Sequence, residues 1–213
     1  MRLLNQSLPG KEGGLDQNDE GRASAYAHLI ESAEIGRRSA ETSLDSILAC
    51  AKLITDCFRR NNKLLICGNG GSAADAQHMA AEFVNRLSKE FERPGLPAIA
   101  LTTDTSFLTS YANDYGYDGV FERQIRALGQ RGDVLIGIST SGSSRNVIRA
   151  VAAAHEMELE TIGLMGEAGE MASLVDHAVV VPSRNTQHIQ ETLLTIEHAI
   201  CMLVERALFA APK

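Results

Sequence analysis

The chain has 213 residues, 44% hydrophobic and 22% charged, which suits a globular domain with a real core and excludes disordered and collagen-like classes. A net charge of −7 argues against a general basic surface for nucleic acid or anionic lipid, so neither is expected as a partner. No stretch approaches the roughly 18 apolar residues of a membrane span, and MRLLNQSLPG lacks the apolar core of a signal peptide, so a cytoplasmic protein is expected. Cys50, Cys57, Cys67 and Cys201 lie scattered in apolar contexts without C-x-x-C spacing and read as reduced core residues.

Residues 1–21 are polar and aperiodic and read as a mobile extension. Residues 22–61 read as an N-terminal helical arm: Tyr26, Leu29, Ile30 and Ala33 share one helical face, and Leu44, Ile47, Leu48, Ala51, Ile54 and Phe58 share another. Residues 62–213 form the main domain. Short apolar strands are predicted at Lys63 to Cys67, Ala98 to Thr103, Val134 to Ser139, Thr161 to Met165 and Ala178 to Val181, with helical patterns between them, and a long amphipathic helix at Thr186 to Phe209. Alternating strand and helix imply a three-layer α/β/α sandwich with a five-stranded parallel sheet. In such sheets ligands sit at the C-terminal ends of the strands, so the loop leaving each strand carries the functional information.

The first strand runs into Gly68-Asn69-Gly70-Gly71-Ser72, where glycines let the backbone approach a ligand, and Ser72 with Asp75 has capping-box spacing at the start of a helix predicted over Ala73 to Arg86. It is neither a dinucleotide fingerprint nor a P-loop. The third strand runs into Ser139-Thr140-Ser141-Gly142-Ser143-Ser144, five hydroxyls in six residues just before a helix. Neutral donors beside free helix N–H groups suit a phosphate whatever the net charge of the protein. With strand order 2-1-3-4-5 the two loops would face each other across one sheet edge and take the two ends of a small phosphorylated molecule.

His78 and Glu82 stand at i, i+4 on the helix leaving the glycine loop, a spacing that suits a metal pair or a base with its partner. In the last helix Gln190, Glu191, Glu197 and His198 interrupt an apolar pattern, and His198 is the side chain best suited to exchange protons near neutral pH.

Taken together, CGNGGSAADAQHMAAEF, LPAIALTTDTS, ANDYGY, GDVLIGISTSGSSRNVI and HIQETLLTIEH resemble the phosphoheptose isomerases of the sugar-isomerase (SIS) domain superfamily, over about two-thirds of the chain and in the family's order. The resemblance implies a flavodoxin-like SIS domain. It also implies isomerisation of sedoheptulose 7-phosphate to D-glycero-D-manno-heptose 7-phosphate through an enediol, the entry to ADP- or GDP-heptose for bacterial surface polysaccharide. It implies Glu82 and His198 as catalytic base and acid. Substrate contacts are implied from Asn69, Gly70, Gly71, Ser72, Glu82, Asn113, Asp114 and Gln190, with phosphate held by Ser139, Thr140, Ser141 and Ser144. One zinc per active site is implied, held by His78, Glu82, Gln190 and His198. Gln187 departs from the pattern, since some members carry Asp there.

Two rival readings share the domain: a non-catalytic protein that binds a replication initiator protein, and a sugar-phosphate sensor. The first is expected to lack the acid–base pair, which this chain keeps, and the second to be joined to a DNA-binding or synthase domain. Gln190 and His198 are eight residues apart, about 12 Å along one helix axis, too far for easy ligation of one ion at roughly 2.0–2.2 Å. The expectation is therefore a homo-oligomer, a tetramer with active sites shared between chains, in which Gln190 and His198 of different copies meet the His78 and Glu82 pair.

Overall fold

The computed structural model describes residues 19–89 and 91–210. The expected extension lies largely outside them, although its last residues, Asp19 to Gly21, already belong to a helix. Two helices come first, α1 (Asp19–Thr42) and α2 (Leu44–Arg59), followed by β1 (Leu64–Gly68), α3 (Gly71–Val84), β2 (Ala98–Ala100), α4 (Thr105–Tyr115), α5 (Val120–Leu128), β3 (Val134–Ser139), α6 (Arg145–Glu156), β4 (Glu160–Gly166), β5 (His177–Val181) and α7 (Thr186–Phe209). The five strands are all parallel in the order β2-β1-β3-β4-β5. Chain order reverses beside β1, so the ends of β1 and β3 are neighbours.

The sheet is covered on both faces, and that explains its sequence. All residues of β1 and β3 are buried, so neither strand alternates between apolar and polar. Successive side chains still separate by face: Leu64, Ile66, Val134, Ile136 and Ile138 pack with α2, α3 and α7, whereas Leu65, Cys67 and Leu135 pack with α5 and α6. All four cysteines are free and buried. Burial pushes the Cys50 and Cys67 thiols up to about 12, which keeps them protonated and inert.

Two local expectations change. β2 stops at Ala100 instead of Thr103, because the chain must turn before Asp104, whose carboxylate accepts from Phe107 N at 2.9 Å and caps α4. α3 starts at Gly71, so Ser72 lies inside the first turn and is no cap. The N-cap is Gly70, at φ +56°, a conformation glycine adopts without strain. On α1 the apolar face is exposed, with Tyr26 at 69% and Leu29 at 67%, while Ile35 and Ser39 are buried. Among the described residues no helix is long and apolar enough to cross a membrane.

Candidate active site

The hydroxyl-rich loop turns at the end of β3 and delivers α6. Ser139 Oγ lies 2.9 Å from Ser144 Oγ and 3.4 Å from Ser141 Oγ, so three hydroxyls meet at one point. Ser144 is the N-cap residue of α6, yet its side chain makes no cap hydrogen bond. The hydroxyls and the first-turn N–H groups of α6 thus stand together, the arrangement that binds an anion at a helix N-terminus. Thr140 sits half-buried in the same turn, its carbonyl accepting from Gly166 N.

The glycine loop lies alongside. Asn69 and Asn146 exchange two amide hydrogen bonds, at 2.9 and 2.8 Å, and Asn146 Oδ1 also accepts from Val147 N at 3.0 Å. This pair joins the β1–α3 loop to the first turn of α6. Sequence pattern does not single out Asn146, because its role depends on a residue 77 positions away. Gly70 and Gly71 are exposed beside it, and Ser72 Oγ donates to Gln190 Oε1 at 3.4 Å, which brings the start of α7 to the start of α3. Asn113 and Asp114 are different. Both lie exposed near the end of α4, where Asn113 Nδ2 donates to Asp114 Oδ1, and none of the other candidate residues is among their hydrogen-bond partners.

Two turns further along α3, His78 Nε2 lies 2.8 Å from His198 Nε2 and 3.5 Å from Glu82 Oε1. The second Glu82 oxygen, Oε2, is buried without a hydrogen-bond partner. Each of the three residues offers one ligand atom, and these atoms all lie within 4.8 Å of one another, so the group can coordinate a metal ion. Tetrahedral ligation at roughly 2.0–2.2 Å sets ligand atoms about 3.3–3.6 Å apart, close to the spacing of His78 Nε2 from His198 Nε2 and from Glu82 Oε1. The donor set fits a metal.

This geometry corrects the expectation for His198. His198 meets His78 and Glu82 within one chain, because α3 and α7 run side by side in the same direction: Gln190 pairs with Ser72, His198 with His78, and Glu205 with the segment beyond α3. Gln190 is engaged nearer the start of α3. Its Oε1 is engaged at the first turn of α3 and its Nε2 is buried without a partner, about 10 Å along α3 from His78.

Two further carboxyls lie between these helices. Asp75, one turn before His78, is raised by burial to about 6, with His78 pulling the other way. Glu197, beside His198 and fully buried, is raised to about 9 by burial and then by the Asp75 charge, so it is a neutral acid at neutral pH. Neither Glu197 oxygen has a hydrogen-bond partner among the described residues.

The comparisons with known proteins agree with this architecture. The SIS domain family matches residues 27–166, which places the chain among the sugar-isomerase domain proteins. The phosphoheptose isomerase of Roseiflexus sp. (strain RS-1) is 55% identical over 181 residues, 84% of this chain and 90% of the relative. Among solved structures, the phosphoheptose isomerase of Neisseria gonorrhoeae matches with a TM-score of 0.80 at 44% identity, covering 86% of this chain and 97% of that one. That of Francisella tularensis matches with a TM-score of 0.83 at 34% identity, over 87% and 98%. The chain belongs to the phosphoheptose isomerase family.

Proposed function

We propose that this chain is an aldose–ketose isomerase that converts sedoheptulose 7-phosphate to D-glycero-D-manno-heptose 7-phosphate. The observation that carries the reading is the meeting of Glu82, His78 and His198 in one chain, with a buried carboxylate oxygen free to accept a proton. Family membership supplies the substrate class.

Glu82 Oε2 removes a proton from C1 of the ketose while His198 protonates the C2 oxygen, giving a 1,2-enediol. Glu82 then returns the proton to C2 as His198 takes the hydroxyl proton from the C1 oxygen, which leaves the aldose. The two Glu82 oxygens divide the work: Oε1 faces His78, and Oε2 stays available as the base. Ser139, Thr140, Ser141 and Ser144 hold the phosphate, while Asn69, Gly70, Gly71, Ser72 and Gln190 line the sugar. Asn113 and Asp114 are assigned to the substrate by family pattern alone. Zinc, which two imidazoles and a carboxylate suit, would be held by His78, by Glu82 through Oε1 and by His198, and when bound it would supply Lewis-acid polarisation of the substrate carbonyl in place of the proton that an unligated His198 gives. Gln190 as a fourth zinc donor requires its amide to leave Ser72.

The exposed apolar face of α1, with Leu44 and Leu48 of α2, supports assembly of copies, and we read the protein as a cytoplasmic homotetramer. With the acid–base pair inside one chain, any sharing of sites is confined to other residues. The functional reading is tested by incubating the protein with sedoheptulose 7-phosphate and following carbon NMR: an aldose C1 signal is expected, and an unchanged ketose would overturn it.

A further inference from the structure

The C-terminal end of α3 carries Glu82, and its carbonyls must find donors beyond the helix. A left-handed glycine commonly ends such a helix. Here a returning segment takes that role. Arg93 Nη2 donates to Glu82 O at 2.7 Å, and Nη1 donates to Phe83 O at 2.7 Å and to Pro94 O at 3.0 Å. Leu96 N donates to Phe83 O at 3.0 Å. Gly95 passes so near that a Cβ there would lie 2.7 Å from Val84 O.

The same guanidinium reaches the other helix of the site. Arg93 Nε donates to Glu205 Oε1 at 2.7 Å, and that oxygen also accepts from Leu87 N at 3.0 Å. Both partners are buried, Arg93 at 7% and Glu205 at 3% exposure. Glu205 lies seven residues beyond His198, two helical turns, so both project from one face of α7 about 10 Å apart along the axis. One side chain therefore holds the backbone of Glu82 and, through Glu205, the helix face that carries His198.

We propose that Arg93 is a positioning residue for proton transfer: its clamp on Glu82 O, Phe83 O and Glu205 sets the distance between the carboxylate of Glu82 and the imidazole of His198. The inference rests on the reading of those two residues as base and acid. The ion pair by itself points to a geometric role more than to stability. A buried ion pair contributes little net stability, because desolvating both charges offsets their attraction, and apolar residues of similar volume often replace such a pair at no loss. Acid–base chemistry, in contrast, depends on placement within about 0.5 Å, and a misplacement of about 1 Å costs about 100-fold.

The test is the double variant Arg93→Met with Glu205→Leu, which removes both charges and keeps volume, assayed where it is folded. Turnover is expected to fall about 10- to 100-fold. KM for sedoheptulose 7-phosphate should stay within about twofold, since the phosphate loop leads into α6, and the melting temperature should fall, since the α3 carbonyls and Leu87 N lose their partners. Parental turnover, or a rise in KM that matches the fall in turnover, would overturn the proposal. If the double variant does not fold, Arg93→Lys keeps a charge beside Glu205 but loses the planar fork. Reduced turnover at unchanged KM supports the clamp, and parental turnover overturns it. Glu82→Gln assayed alongside separates two failures. Parental turnover there overturns Glu82 as base and this inference with it, whereas an inactive Glu82→Gln beside a fully active clamp variant overturns positioning alone.

Discussion

α7 takes part in two groups of the same composition, each with two histidines and one glutamate whose ligand atoms lie within 4.8 Å. Near its start, His28 of α1 bridges the others: its Nε2 lies 3.0 Å from Glu191 Oε1 and its Nδ1 lies 3.1 Å from His188 Nε2. The second Glu191 oxygen accepts from Ser32 Oγ at 2.6 Å, and these bonds, Ser32 first and His28 next, hold the Glu191 carboxyl below its ordinary range against a smaller effect of burial. That carboxylate is satisfied, and only His188 Nδ1 remains unpartnered, 3.8 Å from Glu31. At the second group the carboxylate is the unsatisfied member, with Glu82 Oε2 buried and free beside two imidazoles. Residue types alone do not separate a clasp between helices from a reactive site. The state of the carboxylate distinguishes the two groups.

The largest expected effect breaks this contrast at the open group. Glu82→Gln keeps size and removes the base, and turnover is expected to fall by about two to four orders of magnitude in a steady-state assay. His198→Ala removes one of three metal donors as well as the acid. Its zinc affinity, measured by titration against a competing chelator, should fall by more than the roughly 10- to 100-fold cost of losing a mere supporting contact. Parental affinity in that variant would place the metal elsewhere. Ser141→Ala and Ser144→Ala sharpen the contrast from another side, since their loss should appear in binding: each is expected to weaken substrate affinity by about 1.5–3 kcal/mol, with turnover little changed. His28→Ala is expected to do least, lowering unfolding free energy by about 1 kcal/mol while metal content and turnover stay parental. Loss of metal there would show the clasp to be a second metal centre.

Much of this is legible from residue pattern. Val134–Ser139 is read end to end because a strand buried on both faces is a continuous apolar run closed by an abrupt polar loop. The hydroxyl loop and the His78 and Glu82 pair are legible for a related reason, since both are local patterns. Elements shaped by distant partners are not. Thr102 and Thr103 look strand-like, but the turn ahead of α4 claims them. Arithmetic on α7 alone sends Gln190 and His198 to different copies, because nothing in one helix reveals that a second runs beside it in the same direction with donors at matching intervals. Asn146 and Arg93 carry no local signal at all. Each gains its role from a contact across the fold, an amide pair with Asn69 in one case and the Glu205 carboxylate in the other.

In the proposed reaction the open group on α3 and α7 moves a carbon-bound proton of a phosphorylated ketose. Deuterium exchange reads that step without relying on product release. With sedoheptulose 7-phosphate in deuterium oxide, the parent protein is predicted to introduce deuterium at the carbons flanking the migrating carbonyl, and Glu82→Gln to introduce it at least about 100-fold more slowly. Exchange by Glu82→Gln at the parental rate would contradict the account.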